Sequence, residues 1–255
     1  MAVRRDRIGE EGYNSFGSKM IIVGYRNIRD IDIYFPEYDF TFKHVQYDNF
    51  KKGKIKCLYE PRYYGKGYLG EGKYKVKENG KHTDEFKIWH GMLQRCYDPK
   101  YKEKHPTYID CTVCEEWHNF QNFSEWYEEN YYEIEGEVMN LDKDILIKKN
   151  KIYSPDTCVF VPQSINSLFV KRDINRGNLP IGVHYDKQHK KYKAQCSIGL
   201  GKQKNLGRYN TQEEAFKVYK AFKEAHIKKI ADDYLEFIPS NLYQAMINYE
   251  IEIED

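Results

Sequence analysis

Over the first sixty residues apolar and polar positions alternate in short runs. In DIDIYF, Ile31, Ile33 and Phe35 fall on one face, with Asp30, Asp32 and Tyr34 on the other. A period of two is that of a half-buried strand, so residues 1–61 read as a small β module. YGKGYLGEGKYKV is glycine-punctuated and reads as a loop leading into one more strand. The period then changes. Phe86, Trp89, Met92, Leu93 and Cys96 recur at three- and four-residue spacing, which predicts a helix. A loop containing Asp98, Pro99 and Pro106 follows, and CEEWHNFQNFSEWYEEN then reads as one further helix. Its stripe of Trp117, Phe120, Phe123, Trp126 and Tyr127 belongs to a core. From Asn140 to Val161 the pattern is two short strands around a loop, followed by the short helix QSINSLFV. In LDKDI the residues are consecutive on a strand, so Asp142 and Asp144 share a face and Lys143 points away.

KRDINRGNL lacks apolar periodicity and reads as a linker, placed at 171–178. Three strand candidates follow, IGVHYD, KYKAQCSI and KNLGRY, and then a long helix. Thr211 with Glu214 three positions on forms a capping box ahead of Ala215, Val218, Tyr219 and Phe222 on one face. In KYKAQCSI, Tyr192, Ala194, Cys196 and Ile198 point one way and Lys193, Gln195 and Ser197 the other. The amphipathic helix covers the apolar face and leaves the basic one open. The final NYEIEIED reads as a mobile tail or an edge strand.

Charge sharpens this picture because of where it lies. The chain as a whole carries a net +2, but Lys171 to Lys229 holds 15 Lys+Arg against 5 Asp+Glu. The remainder holds 26 against 34. A basic segment on an acidic chain suggests a local polyanion-binding module. No apolar run approaches the roughly 20 residues of a membrane span. The N-terminus MAVRRDRIGEEGYN carries no apolar core of a secretory signal, so a cytoplasmic location is expected. Six cysteines in such a chain point to reduced, buried or metal-bound thiols. Lys43, Lys51, Lys52, Lys54 and Lys56 form a second basic stretch, either an accessory phosphate contact or a solvated strand edge.

The segment beginning LPIGVHYDKQHKKYKAQCSI resembles the APETALA/ethylene-response-factor type of DNA-binding domain. The resemblance rests on Gly182 and Val183, on Tyr192 to Ala194, on Leu206 to Thr211 and on Glu213 to Ala215, in order over about fifty residues. It implies a three-stranded antiparallel sheet backed by one helix, with the sheet laid in the major groove of double-stranded DNA. Lys187, Lys191, Lys193, Gln195, Lys202, Lys204 and Arg208 are the expected DNA contacts. Lysines stand where that family carries more arginines, which gives phosphate affinity with less bidentate base reading.

The segment from Trp89 to Phe169 resembles the HNH endonucleases of phages and mobile introns. The carrying stretches are WHGMLQRCYDP, YIDCTVCEEWHNFQNFSEW, LDKDI and YSPDTCVFVPQSIN. The resemblance implies a ββα-metal domain in which Asp142 is the leading metal-binding aspartate and Asp144 lies near the second acid. Mg2+ or Mn2+ is the implied cation, since carboxylate oxygens suit hard divalent ions. Lys143 falls at the usual general-base histidine. A lysine near its reference pKa of about 10.4 is protonated at neutral pH and accepts no proton from water. It would serve with a lowered pKa, or by stabilising charge on the phosphate. Thr157 stands where an asparagine ligand is common. His90, His105 and His118 could in principle replace the missing base, with a surface or partner-bonded histidine the plainer alternative for each. Cys111 and Cys114 have a zinc-knuckle spacing that Cys96 and Cys158 could complete as a Zn2+ site, with buried unligated cysteines the plainer alternative.

The expected architecture is modular α+β. A small β module (1–61) precedes an HNH-like domain (62–170), a linker (171–178), an APETALA-like domain (179–238) and an acidic tail (239–255). The expected function is metal-dependent nicking or cutting of DNA in the homing-endonuclease manner, within a bacterial host cell. The alternatives are a catalytically silent, HNH-like DNA-binding protein of a phage, acting as regulator or anti-defence factor, and a protein-binding factor directed at a host partner.

Overall fold

The alternation at Asp30–Phe35 is realised as a strand whose Ile31, Ile33 and Phe35 are completely buried. In the computed structural model, which describes residues 6–170, 179–199 and 202–253, it belongs to an antiparallel meander. Its strands are β1 (Glu11–Tyr13), β2 (Lys19–Asn27), β3 (Asp30–Phe35) and β4 (Phe40–Val45), in that order. Met20 and Ile22 of β2 join the same apolar face. Phe50 of α1 (Tyr47–Lys51) and then Ile55 and Cys57 close it. A short hairpin follows, β5 (Lys77–Glu78) and β6 (Lys81–His82). Its turn residues Asn79 and Gly80 both have positive φ, 49° and 79°, as a two-residue hairpin demands.

Helix α2 (Asp84–Tyr97) buries Phe86, Trp89, Met92, Leu93 and Cys96, the five residues its spacing picks out. Asp98 ends it and caps the next helix, α3 (Pro99–Lys104), by accepting from the Lys100 N–H at 2.9 Å. The strand β7 (Thr112–Val113) comes next. The expected single aromatic helix is instead two elements. Glu115–His118 forms one 3-10 turn, Asn119 is extended, and α4 runs from Phe120 to Asn130. The backbone here is taken by a tertiary partner. Tyr68 N–H donates to the His118 carbonyl at 2.9 Å, and Phe120 N–H donates to the Tyr68 carbonyl at 2.9 Å. A continuous helix would consume those same groups. Trp117, Phe120 and Phe123 are nevertheless core residues, and the Trp89 indole N–H donates to the Trp117 carbonyl at 2.7 Å.

The chain divides into two compact units, Met1–Trp126 and Tyr127–Asp255. The second opens with β8 (Met139–Asp142), β9 (Ile152–Tyr153), β10 (Val159–Pro162) and α5 (Gln163–Phe169). Antiparallel pairing of β8 and β10 sets Asp142 opposite Val159 and Met139 opposite Pro162. The strands β11 (Val183–Asp186), β12 (Lys191–Ser197) and β13 (Gln203–Tyr209) then form a three-stranded antiparallel sheet. Helix α6 (Gln212–Asp233) starts at the capping box: Thr211 Oγ1 accepts from Glu214 N–H at 3.2 Å, and Glu214 Oε2 accepts from Thr211 N–H at 3.3 Å. The shorter helix α7 (Ser240–Ile247) follows.

Twenty-two residues make α6 about 33 Å long, enough to serve two cores. Its first half packs Ala215, Phe216 and Tyr219 against Val183, Ala194 and Cys196 of the sheet. Its second half packs Ile227 and Ala231 against Ile145, Val159 and Val161 of the hairpin and Ile165 and Leu168 of α5, with Leu242 and Met246 of α7. The final segment is pinned there as well. Ile251 is buried, its N–H donates to Glu224 at 2.8 Å, and its carbonyl accepts from Lys220 at 2.7 Å. Lys148 donates to the Glu250 carbonyl at 2.9 Å, and Lys149 pairs with Glu252 at 3.2 Å. NYEIEIED is therefore held as far as Glu252, neither as a mobile tail nor as an edge strand, because one buried apolar side chain and three lysines give it partners. The linker expected at 171–178 lies outside the described residues.

Ile227 is fully buried in the shared helix. Ile227→Ala should destabilise the Tyr127–Asp255 unit by about 2–5 kcal/mol in urea unfolding. Hydrogen exchange should accelerate in β8–β10 and in β11–β13 together. Loss of protection in one and not the other would show that the two cores unfold separately.

Candidate functional site

The C-terminal sheet has one face against α6 and one open. Residues directly opposed across paired strands lie on the same face. Ala194 and Cys196 are buried under α6, so the alternate positions of β12, Lys193 and Gln195, face outward. Register extends this across the sheet. His184, Lys193 and Arg208 are aligned on three successive strands, Gln195 opposes Asn205, and Asp186 opposes Lys191. Lys187 is exposed in the β11–β12 turn and Lys202 in the β12–β13 turn. Lys204 is placed differently: it opposes Cys196, and its Nζ sits 4.9 Å from the Phe222 ring of α6. It belongs to the helix side. Ile198 is 38% exposed because β12 ends at Ser197.

Three polar groups of the open face, His184, Asp186 and Asn205, escape the sequence reading. The alternation starting at the buried Val183 contains the signal for His184. Asn205 needed the register, because a bulge between Ala194 and Gln195 shifts β13 by one residue. Gly207, at φ +120°, and a hydrogen bond from its N–H to Asn205 Oδ1 at 3.1 Å form that bulge. Bulges re-aim side chains next to binding surfaces.

An ion pair crosses this face. Arg208 on β13 donates from Nε to Asp186 Oδ2 on β11 at 2.7 Å. The strand between them is β12. Asp186 Oδ2 also meets His189 Nδ1 at 2.9 Å, and its Oδ1 accepts from the N–H groups of Gln188 and His189 at 3.1 and 3.2 Å. The Arg208 guanidinium, with these donors, holds the Asp186 carboxyl well below the usual carboxylate range.

The hairpin carries the second group of candidates. Strand β8 ends at Asp142, whose Oδ1 accepts from Asp144 N–H at 2.9 Å and Ile145 N–H at 2.8 Å. This Asx turn competes with strand continuation, so LDKDI is not one strand and the expected alternation stops at its second residue. Lys143 folds inward. Its side chain is 8% exposed, with Nζ 3.0 Å from Asp144 Oδ2 and 5.8 Å from the Tyr153 ring. Asn150 Nδ2 secures the loop through the Lys143 and Ile152 carbonyls at 2.6 and 2.7 Å. Thr157 Oγ1 donates to the Ile152 carbonyl at 2.7 Å and lies 2.9 Å from Ser154 Oγ.

Loss of hydration, and then the charge of Asp144, push the Asp142 carboxyl up to about 6. Asp142 keeps part of its surface, but the protein around its carboxyl outweighs the two backbone N–H bonds that favour ionisation. As a cation site the group fits imperfectly. One oxygen of Asp142 is committed to the backbone, and one oxygen of Asp144 to an ammonium that already supplies positive charge.

Elsewhere, Asp30, Asp32 and His44 bring three ligand-type atoms together among the described residues. Arg26 already lies between the carboxylates, with Nε 2.7 Å from Asp30 and Nη2 2.5 Å from Asp32. Cys96 is buried at the end of α2, Cys111 and Cys114 bracket β7, and Cys158 precedes β10 in the second unit. Cys96 and Cys114 both lie near the Tyr97 hydroxyl. Each histidine is a packing group. His118 meets Tyr97 Oη at 3.1 Å, His90 contacts Tyr63, Tyr64 and Phe86, and His105 lies 4.4 Å from Tyr101 between ring centroids. Burial pulls His90 and His118 below the usual imidazole range. In the lysine stretch, Lys51 and Lys52 pair with Glu10 and Asp48, and Lys56 lies 5.6 Å from the Phe16 ring. No helix is long and apolar enough to cross a membrane among the described residues.

The chain matches no protein-family model, and no curated protein or solved structure matches it.

A carboxyl whose pKa is raised on folding binds its proton more tightly in the folded chain. It is least unfavourable to stability below its ordinary 3.8, and stability falls as pH rises from there through about 6. Asp142→Asn keeps the Oδ1 acceptor and removes the charge. It should match the parent at about pH 3 and exceed it at about pH 7, by on the order of 2 kcal/mol. Urea unfolding at the two pH values reads this, and a variant weaker than its parent at pH 7 would contradict it.

Proposed function

We propose that this chain binds double-stranded DNA through the open face of the β11–β13 sheet, on a frame whose nuclease-like hairpin is held by its own lysine. The observation that carries the reading is the alignment of His184, Lys193 and Arg208 across three strands, edged by Lys187, Lys191 and Lys202. The cations here are Lys193, Arg208 and the edge lysines, since burial and then Lys193 lower the His184 pKa; spread in two dimensions on a sheet, they can neutralise phosphates on both sides of a groove. A twisted antiparallel sheet of this size suits the major groove, and the APETALA-type resemblance supports the same docking. The shared helix α6 means that a DNA contact at the sheet is felt rigidly at the hairpin.

A second reading, metal-dependent cleavage of a DNA phosphodiester at Asp142 and Asp144, is favoured by one observation. Burial, and after it the charge of Asp144, raises the Asp142 pKa, and a bound Mg2+ or Mn2+ would favour the ionised pair. Against it, the residue at the general-base position is a buried lysine, not a histidine, and its Nζ is already engaged with Asp144 Oδ2 at 3.0 Å.

One experiment separates the two. Purified protein is incubated with supercoiled plasmid in Mg2+, Mn2+ or chelator, and with linear duplex over a salt series. DNA binding alone predicts intact plasmid and a shift that weakens with salt. If four or five cations reach phosphates, the slope of log K against log salt is about −4. Lys193→Glu with Arg208→Glu should lower affinity at least about ten-fold. Metal-dependent nicking that disappears in Asp142→Ala establishes the second reading, and absence of any shift at low salt ends the first.

A further inference from the structure

The ion pair across the sheet has a consequence for which base the protein reads. We infer that Arg208 reads a guanine in the major groove and that Asp186 is the residue that positions it. This rests on the proposal that the β11–β13 sheet docks on duplex DNA. Three observations converge on it. Arg208 is the arginine of an open face otherwise charged by lysines, and an ammonium is a point charge that contacts phosphate without bidentate geometry. Its guanidinium is also drawn toward Asp186 across β12, between the rows of Lys191 and Lys193. With Nε engaged, the four Nη N–H groups remain for an outside partner, and the side chain is 40% exposed. A pair of parallel N–H donors matches guanine, which alone presents two adjacent acceptors, N7 and O6, in the major groove.

The third observation is Asp186 itself. A carboxylate on a phosphate-binding face, here at the end of the edge strand β11, repels DNA, and its placement there works against affinity. Yet its geometry is fully specified: two backbone N–H bonds at Oδ1, and Arg208 with His189 at Oδ2. It holds a long flexible side chain in one orientation before DNA arrives, which lowers the entropy lost on binding. Lysines at Lys187, Lys191 and Lys193 surround the pair and contact the backbone phosphates. Affinity thus comes from the lysines and base choice from the fixed arginine.

The test uses the full chain and a pool of randomised duplexes, followed by titration of the selected duplex and of its single-base variants. A fixed guanine should emerge, and replacing it with adenine should weaken binding about ten-fold. Arg208→Lys should keep salt-sensitive binding and lose that preference. Asp186→Asn preserves the Oδ1 acceptor for the turn but removes the charge that holds Arg208. It should bind random duplex as tightly as the parent or more tightly, and lose most of the guanine preference. An ion pair that merely stabilises the sheet predicts the reverse, a lower melting temperature with base preference unchanged, and thermal melts of both variants accompany the titrations. Preference retained in Asp186→Asn, or selection without an Arg208-dependent guanine, overturns the inference while leaving DNA docking intact. If no duplex binds even at low salt, the docking proposal fails and this inference fails with it.

Discussion

Helix α6 is the constraint on which the second unit depends. Its early turns close the face of a sheet that would otherwise expose Val183, Ala194 and Cys196, and its later turns close the hairpin through Ile227 and Ala231. Neither the two-stranded hairpin nor the three-stranded sheet has enough apolar area to stand alone at this size. A single helix with residues on both faces solves two burial problems at once. It also makes the basic sheet and the hairpin parts of one compact unit. The capping box at Thr211 and Glu214 sets where that helix begins, and thereby which residues reach which core.

The electrostatics of the unit follow from what each face does with its charges. On the sheet, lysines project into solvent and repel one another modestly, a state that a polyanion improves. At the hairpin the charges are folded inward. Lys143 neutralises Asp144 from a buried position, and Asp142 is left with little solvation and an acidic neighbour. An ammonium in that place supplies the positive charge that two adjacent carboxylates require, without an external ion. The identical dipeptides of a solvated strand would have turned Lys143 outward and left both acids free. The Asx turn at Asp142 decides otherwise.

How far local pattern carries is visible residue by residue. Periodicity picked out the buried faces of β3 and α2 and the covered face of β12, because in each the burying partner lies along the element's whole length. It failed at Asn119, where Tyr68 claims the backbone groups that a helix would use, and at LDKDI, where a side-chain acceptor outcompetes the strand ladder. Helix α7 and the pinned Ile251 went unread since both segments are short and their cover comes from α6.

By itself, then, the sequence determined the class of each strong element, the start of α6 and the concentration of positive charge between Lys171 and Lys229. These are properties of neighbours in the chain, for which period and capping chemistry suffice. Only the tertiary structure decided which of the charges share a surface. Strand register brought His184 beside Lys193, a one-residue bulge selected Asn205, pairing with Cys196 sent Lys204 to the helix side, and Asp186 reached Arg208 across an intervening strand. Register is a relation between segments separated in sequence, set by the burial of whole faces, and no single segment contains it.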